Sequence, residues 1–375
     1  MRTSPHLKEE STPSGASTLD KGLTVLEAVE KANQPVGIQE VARATGIQRM
    51  AVSRLLSTLE QRGYVVRDDA RKYHATSRRR RVLAAYCAPL TGSGFRTDVA
   101  VSLRAAAQRA GVELMVLDNQ ENDVDAVIAN TESVIAAAAD VVIFFQPTES
   151  LGHIIADRLS GASVPFITVE VPIQGGAYYG ANNYQAGKLA GVALGRFAES
   201  VWKSRFDRLV LVEPARSSNL QARLTGVLIG LREILGEVDE TRVIHLEGKA
   251  NLEASQAAMA DLLRKLRPGA RLLVSGFNDL SAVGALRALR AAGRENDAAV
   301  VGQNAVREVQ MEIRDSNSRM IASVAYFPER YGPNLIRLAT DIAAGRRVPP
   351  ALYTNHMVLD RRNIDKVYPA PRSRA

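Results

Sequence analysis

A single cysteine, Cys87, stands in a chain of 375 residues. An internal disulfide and a cysteine-built metal site are therefore excluded, and a reducing compartment is expected. Histidine is nearly as sparse: His6, His74, His153, His245 and His356 are scattered without the spacing of a metal centre. Neither a nucleophile-elbow nor a phosphate-loop pattern occurs, so no enzyme and no cofactor are expected. Met1 to Gly15 is polar and lacks the apolar segment of an export signal, which points to a cytoplasmic location. Long hydrophobic runs are missing too. The richest, Val134 to Phe145, is interrupted by Asp140 and is too short to span a bilayer, so no membrane partner is expected.

What is present is unevenly spread. Residues 1–81 hold 15 Lys/Arg against 9 Asp/Glu, a net of +6, whereas residues 82–375 hold 33 against 31, a net of +2. Most of the total of +8 sits on a short front segment, as in a protein with a polyanion-binding end. Residues 1–17, rich in Ser, Thr, Pro, Lys and Glu, read as a disordered arm. Ser17-Thr18-Leu19-Asp20 has capping-box character, and Leu19, Leu23, Leu26 and Val29 then repeat at helical spacing up to Lys31. Pro35 and Gly37 break that helix. A second is expected over Ile38–Thr45, ended by Gly46 in a positive-φ conformation, and a third from about Arg49 to Arg62. Tyr64–Arg67, a turn at Asp68–Arg71 and Lys72–Ala75 read as two strands and a hairpin tip. Helix, helix, turn, helix and β-wing make residues 18–77 a winged helix-turn-helix.

Arg78 to Arg81 form a short basic linker. From Val82 onward strands and helices alternate, which implies parallel sheet. Ten strands are legible, too many for one economical open sheet, so the chain is expected to be α/β with two doubly wound parallel-sheet lobes and a cleft at the strands' carboxyl ends. Lobe 1 would comprise about 82–182 and 326–355, lobe 2 about 183–325 and 356–368, with 369–375 as a tail.

Two resemblances sharpen this. Gly37-Ile-Gln-Glu-Val-Ala-Arg-Ala-Thr-Gly-Ile-Gln-Arg-Met, followed later by Gly63-Tyr-Val, resembles the IclR-type winged-helix family. The resemblance implies that Gln48, Arg49, Met50, Ser53 and Arg54 front a recognition helix in the major groove of operator DNA. Arg49 or Arg54 would pair with guanine and Gln48 with adenine. Arg71, Lys72 and the Arg78–Arg81 run would hold phosphates. Twofold protein symmetry on a palindromic operator makes a homodimer the expectation.

The second resemblance is to the ribose-binding, LacI-type periplasmic-binding fold, over about Val82 to Tyr368. Val116-Leu-Asp-Asn-Gln-Glu-Asn, Phe144-Phe-Gln-Pro-Thr-Glu-Ser, Gly276-Phe-Asn-Asp-Leu-Ser-Ala-Val-Gly-Ala-Leu, Arg223-Leu-Thr-Gly and Val300-Val-Gly-Gln-Asn carry it. It implies a sugar or sugar-derivative effector held by Phe95, Arg96, Gln146, Glu170, Arg223, Asn278, Asn304 and Tyr326. Such a set offers planar, bidentate partners to vicinal hydroxyls and an aromatic face to a ring. Departures matter as well. Glu170-Val171 stands where Asp-Arg is common, Asn304 where Asp is, and Tyr326 where Gln is, so ribose itself is not implied. Arg96, where an aromatic is common, hints at an acidic group on the ligand. LacI-type repressors carry a hinge helix for which Arg78 to Arg81 leave no room, so signal transfer would use another route. The alternatives are a sugar receptor or an enzyme on the same fold, with the winged helix as a protein-interaction unit.

Overall fold

The computed structural model describes residues 17–32, 34–76, 81–90, 94–121, 123–214 and 218–370. The expected arm up to residue 16, three of the four linker arginines and residues 371–375 of the tail lie outside the described residues. The chain divides into two compact units, which meet in sequence at Arg81 and Val82.

The front unit is built from α1 (Thr18–Lys31), α2 (Ile38–Thr45), α3 (Arg49–Gln61), β1 (Val65–Arg67) and β2 (Tyr73–Ala75). Each start has a local cause. Ser17 Oγ accepts from Asp20 N at 3.2 Å, and the Glu40 carboxylate accepts from Gly37 N at 2.6 Å, so both pair amides that a helix start leaves open. Gly46 ends α2 at φ 70°, a conformation that strains any residue with a Cβ. Val25, Leu26, Val29, Val41, Val52, Leu56, Val65 and Tyr73 form the core. The apolar repeat of α1 divides here: Leu26 and Val29 are buried beside Val25, whereas Leu19 and Leu23 lie on the exposed side. β1 and β2 pair antiparallel from Val65–Ala75 to Arg67–Tyr73, which makes the wing.

The second unit runs β3 (Leu83–Ala88), α4 (Gly94–Ala110), β4 (Glu113–Asp118), α5 (Val124–Ala136), β5 (Val141–Phe144), α6 (Glu149–Gly161), β6 (Phe166–Val169), β7 (Ala177–Gly180), α7 (Asn183–Trp202), β8 (Arg208–Glu213), α8 (Ser218–Leu235) and β9 (Val243–Glu247). It continues with α9 (Leu252–Lys265), β10 (Leu272–Gly276), α10 (Asp279–Ala291), β11 (Ala298–Asn304), α11 (Arg307–Arg314), β12 (Met320–Ala325), α12 (Tyr331–Ala343), β13 (Ala351–Tyr353), β14 (Met357–Asp360) and α13 (Ile364–Val367).

These strands form two six-stranded sheets, ordered β13-β7-β6-β5-β3-β4 and β14-β12-β11-β10-β8-β9. All pairings are parallel except β12 with β14. The apolar runs Val141–Phe144 and Leu209–Val212 are buried, as strands covered by helices on both faces must be. In each sheet the winding direction reverses once, between β3 and β5 and between β8 and β10. Ligands bind outside the carboxyl ends at such reversals. β13 and β14 escaped the sequence pattern because both are short edge strands, and β14 runs against its neighbour. They carry the chain back from the first sheet to the second.

Candidate functional site

The front unit leaves most of the residues expected to meet DNA exposed to solvent. Gln48 caps α3 without using its side chain on the backbone, and Arg49, Met50 and Arg54 are exposed along the helix start. Met50 is 69% exposed, although an apolar side chain of that size gains by burial, and Ser53 lies half-buried beside it. At the wing tip Arg71 has φ 60°. Asp68 Oδ1 accepts from Lys72 N at 2.8 Å, so the turn is fixed while the Arg71 and Lys72 side chains remain exposed. The seven residues expected to meet DNA therefore fall into two groups, five at the start of α3 and two at the wing tip.

The second unit builds its site at the strands' carboxyl ends. Phe95 opens α4 after β3, and its ring meets those of Tyr331, Tyr326 and Phe145 edge-on at 5.4, 6.2 and 6.3 Å. Tyr179 adds a further edge contact to Tyr331 at 5.0 Å. Gln146 follows β5 at the first sheet's reversal point. It is 1% exposed, and neither its Oε1 nor its Nε2 has a hydrogen-bond partner. A buried amide without partners carries a desolvation cost that only a polar visitor removes.

Glu170 follows β6 with φ 63°, in the left-handed region. Its Oε1 accepts from Ala181 N at 3.0 Å and from Tyr331 Oη at 2.5 Å. Burial pushes its pKa up, while the Tyr331 hydrogen bond and the nearby Arg223 charge act in the opposite direction. Asn304 at φ 108°, Ala305 at 59° and Phe327 at 56° repeat this backbone strain at the ends of β11 and β12. Strain of this kind collects at functional sites, where the surroundings hold it in place.

Arg223 is positioned by a close helix pair. A Cβ on Gly187 would lie 1.9 Å from the Arg223 carbonyl oxygen, and one on Gly226 would lie 2.3 Å from that of Tyr184. Only glycine lets α7 and α8 approach this closely. Arg223 Nε and Nη2 donate to Asn183 Oδ1 at 2.9 and 2.5 Å, and Nη1 donates to the Phe277 carbonyl at 2.7 Å. The guanidinium lies 4.1 Å from the centre of the Phe277 ring and 5.4 Å from that of Tyr326. Three of its five N–H donors are engaged in these bonds.

Phe95, Glu170, Arg223 and Tyr326 thus come together, and Gln146 follows Phe145 of the same cluster in the chain. Two other expected residues are engaged elsewhere. Asn278 caps α10 through Ser281 N at 2.8 Å and donates to the Ala250 carbonyl at 3.0 Å. Arg96 is buried with Nη1 3.0 Å from Glu121 Oε1. Its guanidinium therefore has a carboxylate partner within the chain, which weakens the argument for an acidic group on the ligand.

The structure adds residues the sequence pattern did not single out. Asn183 orients Arg223, Tyr331 orients Glu170, and Gln303 Oε1 accepts from Tyr326 Oη at 2.9 Å. His356 Nε2 accepts from Asn182 N at 3.0 Å, and its ring lies 4.7 Å from that of Tyr326. Burial lowers its pKa to about 4, so it stays a neutral acceptor. Only Asn182 had a legible signal, as an Asn ahead of a helical run; its Oδ1 accepts from Gln185 N at 3.0 Å.

No helix among the described residues is long and apolar enough to cross a membrane. No curated protein matches the chain. Residues 18–69 match the IclR helix-turn-helix domain. Among solved structures, the chain is similar to an ABC transporter solute binding protein from Mycobacterium smegmatis with bound glycerol. That pair is 19% identical over 78% of this chain and 98% of that one, with a TM-score of 0.69. A periplasmic solute binding protein from Actinobacillus succinogenes with bound D-allose is 16% identical over 76% and 99%, TM-score 0.66. An ABC transporter solute binding protein from Bacillus halodurans with bound myo-inositol is 18% identical over 76% and 96%, TM-score 0.65. At these identities the likeness is one of fold. The family model for the periplasmic binding protein domain matches residues 84–347, most of the chain, and the chain belongs to that family.

Proposed function

We propose that this chain is a cytoplasmic transcriptional regulator, a repressor, whose hold on operator DNA is set by an uncharged sugar-like molecule bound between the two lobes. The observation that carries the reading is the joining, on one chain, of a helix-turn-helix with an exposed helix start and wing tip to a family domain with a partnerless buried amide. Arg49, Arg54 and Gln48 read base edges, Met50 and Ser53 pack against the groove, and Arg71 and Lys72 hold phosphates. Two copies act together on an inverted repeat, one head per half-site.

In the cleft, Gln146, Glu170 and Asn304 meet hydroxyls, Asn278 contributes at the rim, and Arg223 donates from its guanidinium. Phe95 and Tyr326 cover the apolar ring face. Arg96 supports this wall through Glu121. Glycerol, D-allose and myo-inositol, bound by the fold relatives, are all uncharged polyols. That agrees with a site in which Arg96 is paired with Glu121 and the Glu170 carboxyl lies within the field of the Arg223 charge. Ligand closes the lobes and alters the spacing of the paired heads, an allosteric coupling that is reciprocal. A tenfold loss of DNA affinity on ligand binding equals a tenfold loss of ligand affinity on DNA binding, roughly 1.4 kcal/mol.

Fluorescence anisotropy with promoter fragments, in a salt series with and without a panel of pentoses, hexoses and polyols, tests the proposal. Salt-sensitive binding that one panel member shifts is the expected result. Binding to no fragment, or binding indifferent to every sugar, refutes it.

A further inference from the structure

A pocket of about 420 Å³ opens in the second unit apart from the eight residues expected to hold the ligand. Its walls come from both lobes: Tyr178 and Tyr353 from the first sheet and its edge strand, Asn183 and Tyr184 from the start of α7, and Asn182 from the segment that crosses between the lobes. Its volume falls within the range of small-molecule sites.

Three features give its chemistry. The walls are aromatic: the Tyr178 and Tyr353 rings stand 5.8 Å apart and edge-on, and Tyr353 and Tyr184 are 57% and 43% exposed. Two large aromatic faces left in solvent around one concavity are a cost to the free protein that a stacking ligand removes. The lining carries polar side chains, Asn182, Asn183 and Gln174, but no charged one. Tyr178 Oη donates to the Ala181 carbonyl at 2.8 Å, which fixes the inner wall.

The pocket also touches the crossing segments themselves. Asn183 lines it and at the same time holds Arg223 through Oδ1. The backbone amide of Asn182, another lining residue, donates to His356 on the second crossing. Anything that fills the pocket therefore bears on the side chain that orients the cleft guanidinium.

We propose that this pocket is a second binding site, for an uncharged saccharide ring. The ring face stacks on Tyr353 and Tyr184, its hydroxyls bond Asn182 and Gln174, and occupancy is felt at Arg223 through Asn183. The site goes beyond the cleft reading and does not depend on it.

Calorimetric titration of the full chain with glucose, galactose, arabinose and cellobiose, repeated on Arg223→Ala, Asn183→Ala and the pair Tyr184→Ala with Tyr353→Ala, tests it. Both tyrosines are half-exposed, so their loss should leave the fold intact. The wild type should bind one of these sugars at two sites, with the tyrosine variant losing one of them or weakening it by roughly 2- to 12-fold per aromatic face. Arg223→Ala should keep that site, and Asn183→Ala should make the two independent. A single site lost in Arg223→Ala but untouched in the tyrosine variant overturns the proposal and leaves the cleft reading standing. A single site with the opposite response upholds the pocket and removes the cleft. Binding of none of the four sugars at millimolar concentration overturns the pocket proposal, and so does a site that takes only planar aromatic compounds such as phenol.

Discussion

Replacing Gln146 by methionine should make the protein more stable and less useful. Gln146 is 1% exposed, and both polar atoms of its amide lack a partner. An unsatisfied buried polar group costs about 1–3 kcal/mol, and methionine fills a nearly equal space without one. If the substitution recovers one such penalty, the ligand-free protein gains about 1–3 kcal/mol. At about 2 °C per kcal/mol for a domain of this size, the melting temperature should rise by about 2–6 °C. With ligand the balance reverses. Two hydrogen bonds to the amide, at about 0.5–1.5 kcal/mol each, would be lost, which lowers ligand affinity by roughly 5- to 150-fold. Differential scanning fluorimetry on both proteins, with and without the sugar that shifts the wild type most, measures both halves. A variant that melts below the wild type without sugar refutes the argument, because the amide then had partners that methionine removes.

Other substitutions probe the remaining parts. Arg223→Ala should abolish the response to ligand and leave basal DNA binding unchanged in anisotropy; loss of basal binding would make Arg223 a structural tie through Asn183 and Phe277. Arg49→Ala should cost about 1–3 kcal/mol of operator affinity and blur one base position in a binding-site selection, and an unaltered profile would remove it from the readout. Asp279 is buried in the second lobe, where it accepts from Ser323 Oγ and Val306 N at 2.7 Å each. Burial raises its pKa to about 7 from 3.8. The folded state therefore favours the protonated form: the contribution is complete below about pH 4 and fades as pH rises through 7, on the order of 4 kcal/mol in all. Asp279→Asn should flatten that loss in urea titrations across the same range, and an unchanged slope would show that another group titrates.

The fold was largely legible because its signals are local and repeat. Gly46 predicted its own left-handed cap, and the apolar runs at Val141 and Leu209 could only be strands covered on both faces. The helix face of α1 was harder to read. Leu19 and Leu23 share the spacing of Leu26 and Val29, yet helical period alone cannot say where a stripe leaves the core, and Val25 takes their place. β13 and β14 were illegible for a related reason: three or four residues at a sheet edge carry no alternation long enough to stand out.

At the candidate site, sequence offers residue types but not their states. Arg96 and Arg223 are both arginines beside a strand's carboxyl end, and sequence ranks them alike. Glu121 reaches one of them across 25 positions and Asn183 the other across 40, distances over which no local pattern operates. Arg96 has a carboxylate partner, whereas an amide partner holds Arg223 in place. The strained backbone makes the same point. Glu170, Asn304 and Phe327 are ordinary letters in the sequence, and only tertiary contacts hold them at positive φ, where few side chains settle unaided. The left-handed residues at the ends of β6, β11 and β12 are thus set by tertiary packing, and no local pattern in the sequence announces them.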